Sequence, residues 1–295
     1  LLARSHHEGA AVSQVALRQR GVALAMVVWF IAGMTLLVAG IVAVARQDSR
    51  MTQLHIARAE VVAAGDGAIN LAMMERLQGY RSSGSGPLIS ESVQRLGEHA
   101  VTVRLYPANG FVDPNVASQE VLAVLFQVAV SIGAAEAQRL ADNVVQWRNP
   151  PADSRNARRQ RRRFDALEDL LRVDGITRGV LDGIRDYVVV GDWAAGSLNW
   201  SASPQQVMAL LERLDPGQVD TVAGRRQNLV RTGEENYGQR QGSRAGGGSV
   251  YRADALVVYG GRTWMRRQWL SGGSSRASRL PWQVVRTEPP RVVQR

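Results

Sequence analysis

The chain contains no cysteine and no lysine. The first absence excludes a disulfide scaffold, thiolate metal sites and thiol nucleophiles. The second excludes a Walker-type phosphate loop, a Schiff base and a Ser–Lys dyad. All 36 basic residues are arginine. Histidine is scarce: His6, His7 and His55 fall within the first 55 residues, and only His99 lies beyond. No acidic pair or nucleophile elbow accompanies His99, so it reads as a surface histidine beside a strand. The chain is not expected to be an enzyme, and no catalytic residue is assigned. What is present is enough to fold. The 295 residues are 45% apolar and 21% charged, sufficient for a buried core and about two domains. The net charge of +10 suits an anionic partner or surface.

Residues 22–45 read VALAMVVWFIAGMTLLVAGIVAVA, without one charge. As a helix this run is about 36 Å long, against a hydrocarbon core of about 30 Å. It exceeds the roughly 7–15 apolar residues of a cleaved secretory signal. A membrane-spanning helix is therefore expected. The short arm before it carries Arg4, Arg18 and Arg20, and Arg46 and Arg50 follow it. Short basic arms stay cytoplasmic, which places the bulk of the chain in the periplasm as a single-pass inner-membrane protein.

The junction Arg18-Gln19-Arg20-Gly21-Val22-Ala23-Leu24 resembles the processing site of type IV prepilins. There a membrane peptidase cuts after the glycine and before the apolar run, then methylates the new amino terminus. The resemblance implies cleavage between Gly21 and Val22. Most pilin-like proteins have glutamate at the fifth residue after the cut, where this chain has Met26. A carboxylate in the bilayer is costly unless it pairs with a neighbour's amino terminus. In this respect the chain resembles the K-type minor pseudopilins of the type II secretion system, which commonly lack that glutamate.

Beyond the span, Met51, Leu54, Ala57, Val61, Ala64, Ala68, Leu71 and Met74 recur at helical spacing to about Gly79. Gly65 and Gly67 weaken that helix locally, and residues 82–87 read as a Gly/Ser loop. Ala100–Tyr106 reads as a strand. Ser249–Tyr259 and Arg262–Leu270 read as a strand pair joined at Gly260-Gly261, and Pro281–Val285 as a further strand. Thr232–Ser249 reads as a loop. The expected fold is α+β: a long pilin-like helix packed on a small antiparallel sheet, with a large inserted all-α domain. The expected divisions are a leader at 1–21, the N-terminal helix at 22–79, an α/β domain from 80–108 and 215–295, and the helical insertion at 109–214.

Within the insertion, residues 112–125 (VDPNVASQEVLAVL) align without gaps on residues 198–211 (LNWSASPQQVMALL). Ser118 and Ser203 are candidate helix caps. These copies resemble the two Asn-x-Asn-Thr-Ala-like segments of K-type pseudopilins, the second having drifted. Between them, Phe164–Thr177 resembles that family's helix, turn and helix, with Gly175 at the turn. Val173–Arg178 also resembles half of a helix-hairpin-helix element. With Arg155, Arg158, Arg159 and Arg161–Arg163 nearby, it defines the alternative, a membrane-anchored DNA-uptake protein. Thr177 stands where a second glycine belongs, so no nucleic-acid partner is expected. K-type pseudopilins can also bind calcium. Here Asp153 alone survives as a weak candidate ligand among arginines, so no metal or other cofactor is expected.

The resemblance implies a minor pseudopilin in a tip complex with I- and J-type partners. Its further partners would be prepilin peptidase, the inner membrane and its assembly platform, and the complex would start the periplasmic pseudopilus that exports folded proteins.

Overall fold

The computed structural model describes residues 9–83, 88–150, 162–191, 197–232, 250–272 and 280–294. The chain divides into two compact units, Leu1–Ala59 and Glu60–Arg295. One helix, α1 (Gly9–Ser83), supplies all the described structure of the first unit and the first element of the second. It contains no proline, the residue that would break it.

In the second unit, five strands form one antiparallel sheet in the order β1-β2-β3-β4-β5. They are β1 (Ser90–Leu96), β2 (His99–Pro107), β3 (Val250–Tyr259), β4 (Arg262–Gly272) and β5 (Trp282–Gln294). Gly260 (φ +57°) and Gly261 (φ +72°) make the β3–β4 turn, as their sequence suggests. Val101, Val103, Leu105, Ala253, Ala255 and Val257 are buried along one face. Against it lie the buried Val61, Ala64, Ala68, Ile69, Ala72 and Met73 of α1.

Leu71 and Met74, expected on this buried face, are instead exposed. The contact face is set by small residues rather than large ones. A Cβ on Gly65 would lie 2.7 Å from Arg266 Cβ, and one on Gly67 would lie 3.0 Å from Leu96 Cδ2. These glycines weaken the isolated helix, and the sheet uses the space they leave. Asp66 Oδ1 and Oδ2 accept from Arg266 Nε (2.7 Å) and Nη2 (3.1 Å), and Gln268 Nε2 donates to Oδ1 at 2.8 Å. His99 Nε2 lies 2.9 Å from Glu60 Oε1, joining α1 to the start of β2.

The helices leave the sheet after β2 and return at β3. They are α2 (Gln119–Val130), α3 (Ala134–Arg148), α4 (Arg178–Ile184), α5 (Gln205–Leu214) and α6 (Pro216–Thr232). Their core joins Phe111, Leu122, Phe126, Leu140, Phe164 and Leu210 to Val250 and Trp269 of the sheet. The helical packing does not end at residue 214, since α6 packs on α5 and on the 3-10 turn Trp200–Ala202.

Candidate functional site: an exposed apolar helix and its junction

Every residue from Val22 to Ala45 is exposed within α1. Trp29 is 83% exposed, Leu36 75%, and Phe30 and Met26 68% each. This stretch is long and apolar enough to cross a membrane as one span near the N-terminus, and none of its apolar window is buried against protein. A soluble core helix buries such side chains. Its one hydroxyl is satisfied internally, with Thr35 Oγ1 donating to Ile31 O at 2.7 Å. The segment therefore presents almost no polar atom to its surroundings, as a lipid-facing helix must.

Gly21 and Val22 lie inside α1, with no break at the expected processing junction. Met26 belongs to the exposed apolar surface five residues on. Asp153, the weak calcium candidate, lies outside the described residues, as do Arg155, Arg158, Arg159 and Arg161. The flanks of that segment are cationic: Arg148 Nη1 donates to Pro114 O at 2.7 Å, and Arg162 lies 5.8 Å from the Trp147 ring. Among the described residues, no three histidines or carboxylates converge as a metal site.

The internal echo is structural as well as sequential. Asp113 Oδ1 accepts from Asn115 N at 2.9 Å, and its counterpart Asn199 Oδ1 accepts from Ser201 N at 3.1 Å. Each Asx turn leads into one of the packed helices α2 and α5. The turn just before the first copy also meets the second: Asn199 N donates to Asn109 O at 2.8 Å, and a Cβ on Gly110 would lie 2.1 Å from Ala202 O. Ser118 caps α2 through Val121 N, as expected. Ser203 does not cap α5. Pro204 holds that position, and Ser203 Oγ donates back to Asn199 O at 3.1 Å.

Gly175 adopts φ +81° at the expected turn, where a Cβ would lie 2.7 Å from Leu140 Cδ2. Asn143 Nδ2 donates to Asp174 O at 3.0 Å. The turn thus packs on α3, and the side chain of Thr177 caps the following α4 through Val180 N.

Sequence reasoning missed a buried charged cluster between the sheet and the helices. Arg267 Nε and Nη2 donate to Asp254 at 2.6 and 3.1 Å, and Arg267 Nη1 donates to Asp186 Oδ1 at 2.7 Å. Arg291 also bonds Asp186. Arg252 lies 2.8 Å from Asp254 Oδ2, donates to Asp186 O at 2.9 Å and stacks 3.9 Å from the Phe111 ring centre. Burial brings the Arg252 guanidinium down to about 10. Burial alone would raise the Asp254 carboxyl, but Arg252 and Arg267 outweigh it and hold that group below the ordinary carboxylate value. Asp186 is lowered in the same way by Arg267 and Arg291. A signal was legible: Arg252 and Asp254 share one face of β3, and Asp254 sits opposite Arg267 on β4.

No family profile matches the sequence, and no curated protein matches it. Among solved structures, the chain is similar to a chain of the GspK-GspI-GspJ complex from the type 2 secretion system of enterotoxigenic Escherichia coli. The identity is 12% and the TM-score 0.45, covering 84% of this chain and 100% of that one.

Proposed function

We propose that this chain is a minor pseudopilin of the type II secretion system, of K type, anchored by residues 22–45 in the inner membrane. The observation that carries the reading is an uncharged, wholly exposed helical stretch directly behind the arginine-rich prefix that ends at Gly21. The same helix continues into a unit where it lies on an antiparallel sheet carrying a helical insertion. Each large apolar side chain transferred from water to lipid contributes about 1.5–3 kcal/mol, so the segment stays in the bilayer once inserted.

Prepilin peptidase would cut between Gly21 and Val22. The junction is helical, and a protease needs extended backbone, so cutting requires local unwinding. Gly21 lowers that cost by about 1 kcal/mol relative to alanine. Met26 then leaves no carboxylate needing an amino terminus above it, which suits a subunit at the end of a filament. I- and J-type pseudopilins would pack beside it, and the bulky insertion would close the tip.

Coexpression with prepilin peptidase tests the reading. Wild type should shift to the mature size on a gel, and Gly21→Leu should stay at precursor size. A Gly21→Leu chain that still matures would refute the cleavage assignment.

A further inference from the structure

Two Asp–Pro bonds occur in the chain, Asp113–Pro114 and Asp215–Pro216. Such a bond is the most acid-labile in a protein backbone. The aspartate can attack its own carbonyl carbon, and the proline nitrogen is a comparatively basic leaving group. The fold surrounds the two bonds very differently.

Asp113 is 4% exposed, and Pro114 is buried with it. Asp113 Oδ1 accepts from Asn115 N at 2.9 Å, so the Asp113–Pro114 bond lies inside the ring that this hydrogen bond closes. Asp113 O, the oxygen of the same peptide bond, accepts from Ala117 N at 2.8 Å and Val116 N at 3.1 Å. On the far side, Pro114 O is held by Arg148 Nη1 at 2.7 Å. Asp113 Oδ2 is buried and takes no hydrogen bond among the described residues.

The Asx turn does not account for this carboxylate. In the second copy Asn199 makes the same turn with a neutral amide, and Trp200 follows it. What Asp113 and Pro114 add is a spare carboxyl oxygen beside a labile bond. At the half-exposed Asp215 the carboxylate is engaged, with Oδ2 accepting from Gln218 Nε2 at 2.8 Å. Its backbone oxygen accepts from one amide among the described residues, Gln218 N at 3.1 Å.

We infer that the folded chain cuts its own backbone between Asp113 and Pro114, by attack of the Asp113 carboxyl on the Asp113 carbonyl carbon. Oδ2 bonds to that carbon and closes a five-membered ring. Val116 N and Ala117 N stabilise the oxyanion that forms on Asp113 O. The carboxyl proton passes to Pro114 N, the C–N bond breaks, and Pro114 leaves as a free secondary amine. Asp113 is left as a cyclic anhydride, which one water hydrolyses to a chain end with two carboxyl groups. Each chain reacts once. The proton this step needs is held at the site: burial pushes the Asp113 carboxyl above its ordinary value, against the opposing pull of Asn115, Arg163 and Arg148. The proton-bearing form therefore persists to higher pH than in an ordinary aspartate, and cleavage slows as pH rises through that raised value. β2 and β3 lie on opposite sides of the cut and remain paired, so the pieces stay together until denatured.

The full chain, incubated in detergent micelles from mildly acidic to neutral pH and then denatured, tests this by mass spectrometry. A fragment beginning at Pro114 should accumulate about a hundredfold faster than one beginning at Pro216, the scale of one additional oxyanion donor. Unfolding in urea before incubation should erase that preference. Hydroxylamine should trap the anhydride as a hydroxamate on Asp113, a product that a contaminating protease does not give. Asp113→Asn, which keeps the turn that Asn199 makes, should abolish the fragment in a chain that still folds. Equal cutting at both bonds in the folded chain, no fragment at Pro114, or a fragment that Asp113→Asn leaves unchanged would overturn the inference. None of these readouts depends on the peptidase or on a second subunit, so this inference and the secretion reading stand or fall separately.

Discussion

The two units depart from the usual plan of a globular protein in opposite directions. In the first, 24 consecutive uncharged residues are exposed along one helix. In the second, Arg252, Asp254 and Arg267 are buried almost completely, at 1%, 5% and 2% exposure. Each departure implies something about the surroundings. Exposed apolar side chains call for an apolar solvent, such as a bilayer supplies. Buried charges call for partners, and the cluster supplies them through Asp186 and Asp254. The helix shared by both units changes character accordingly: bulky and apolar on all sides at 22–45, but small on one face and charged on another at 60–76.

The sharpest way to break this contrast is to put a charge where none is tolerated, or to leave one alone where pairs are needed. Asp254→Asn leaves two buried guanidiniums short of an anion and should cost about 3–5 kcal/mol, read by urea unfolding of the detergent-solubilised chain. The same carboxyls predict an acid limb. Asp254 and Asp186 are held below their ordinary value when folded. Their stabilisation is complete above the unfolded carboxylate value of about 3.9 and is lost as pH falls through the lower folded one. A pH series of unfolding curves should fall on the acid side, and Asp186→Asn should flatten that fall.

Leu36→Arg should disfavour membrane insertion by about 2.5–3.5 kcal/mol, read as loss from the carbonate-resistant membrane fraction. Gly65→Leu should cost about 1–3 kcal/mol, because its first carbon already collides with Arg266 Cβ, and the melting temperature would report it. Leu71→Arg, on the exposed side of the same helix, should change stability by no more than about 0.5 kcal/mol. A large loss at Leu71 together with tolerance at Leu36 would dissolve the distinction between the two stretches.

What the sequence revealed follows the strength of local chemistry. The exposed apolar stretch of α1 was readable from composition, and the β3–β4 hairpin from two glycines between β-rich runs. The echo was readable because the Asx turns at Asp113 and Asn199 need short polar side chains. β1 was missed because Ser90–Leu96 holds one β-branched residue, Val93, and its pairing comes from β2 rather than from propensity. β5 was expected only to Val285, since Pro289 and Pro290 disguise a strand that tolerates them at an edge. On α1, the large residues Leu71 and Met74 suggested a face that the close approach at Gly65 and Gly67 overrides. The buried arginines escaped notice because charge alternating along a strand usually marks a solvated face, and only cross-strand register shows that Asp254 meets Arg267.

Intact-mass spectrometry of the protein recovered from inner membranes tests the anchoring reading most directly. A chain that begins at Val22 with one added methyl group and retains residues 22–45 is the predicted result. A chain still carrying Arg18–Gly21, or one from which the apolar helix has been removed, would contradict it.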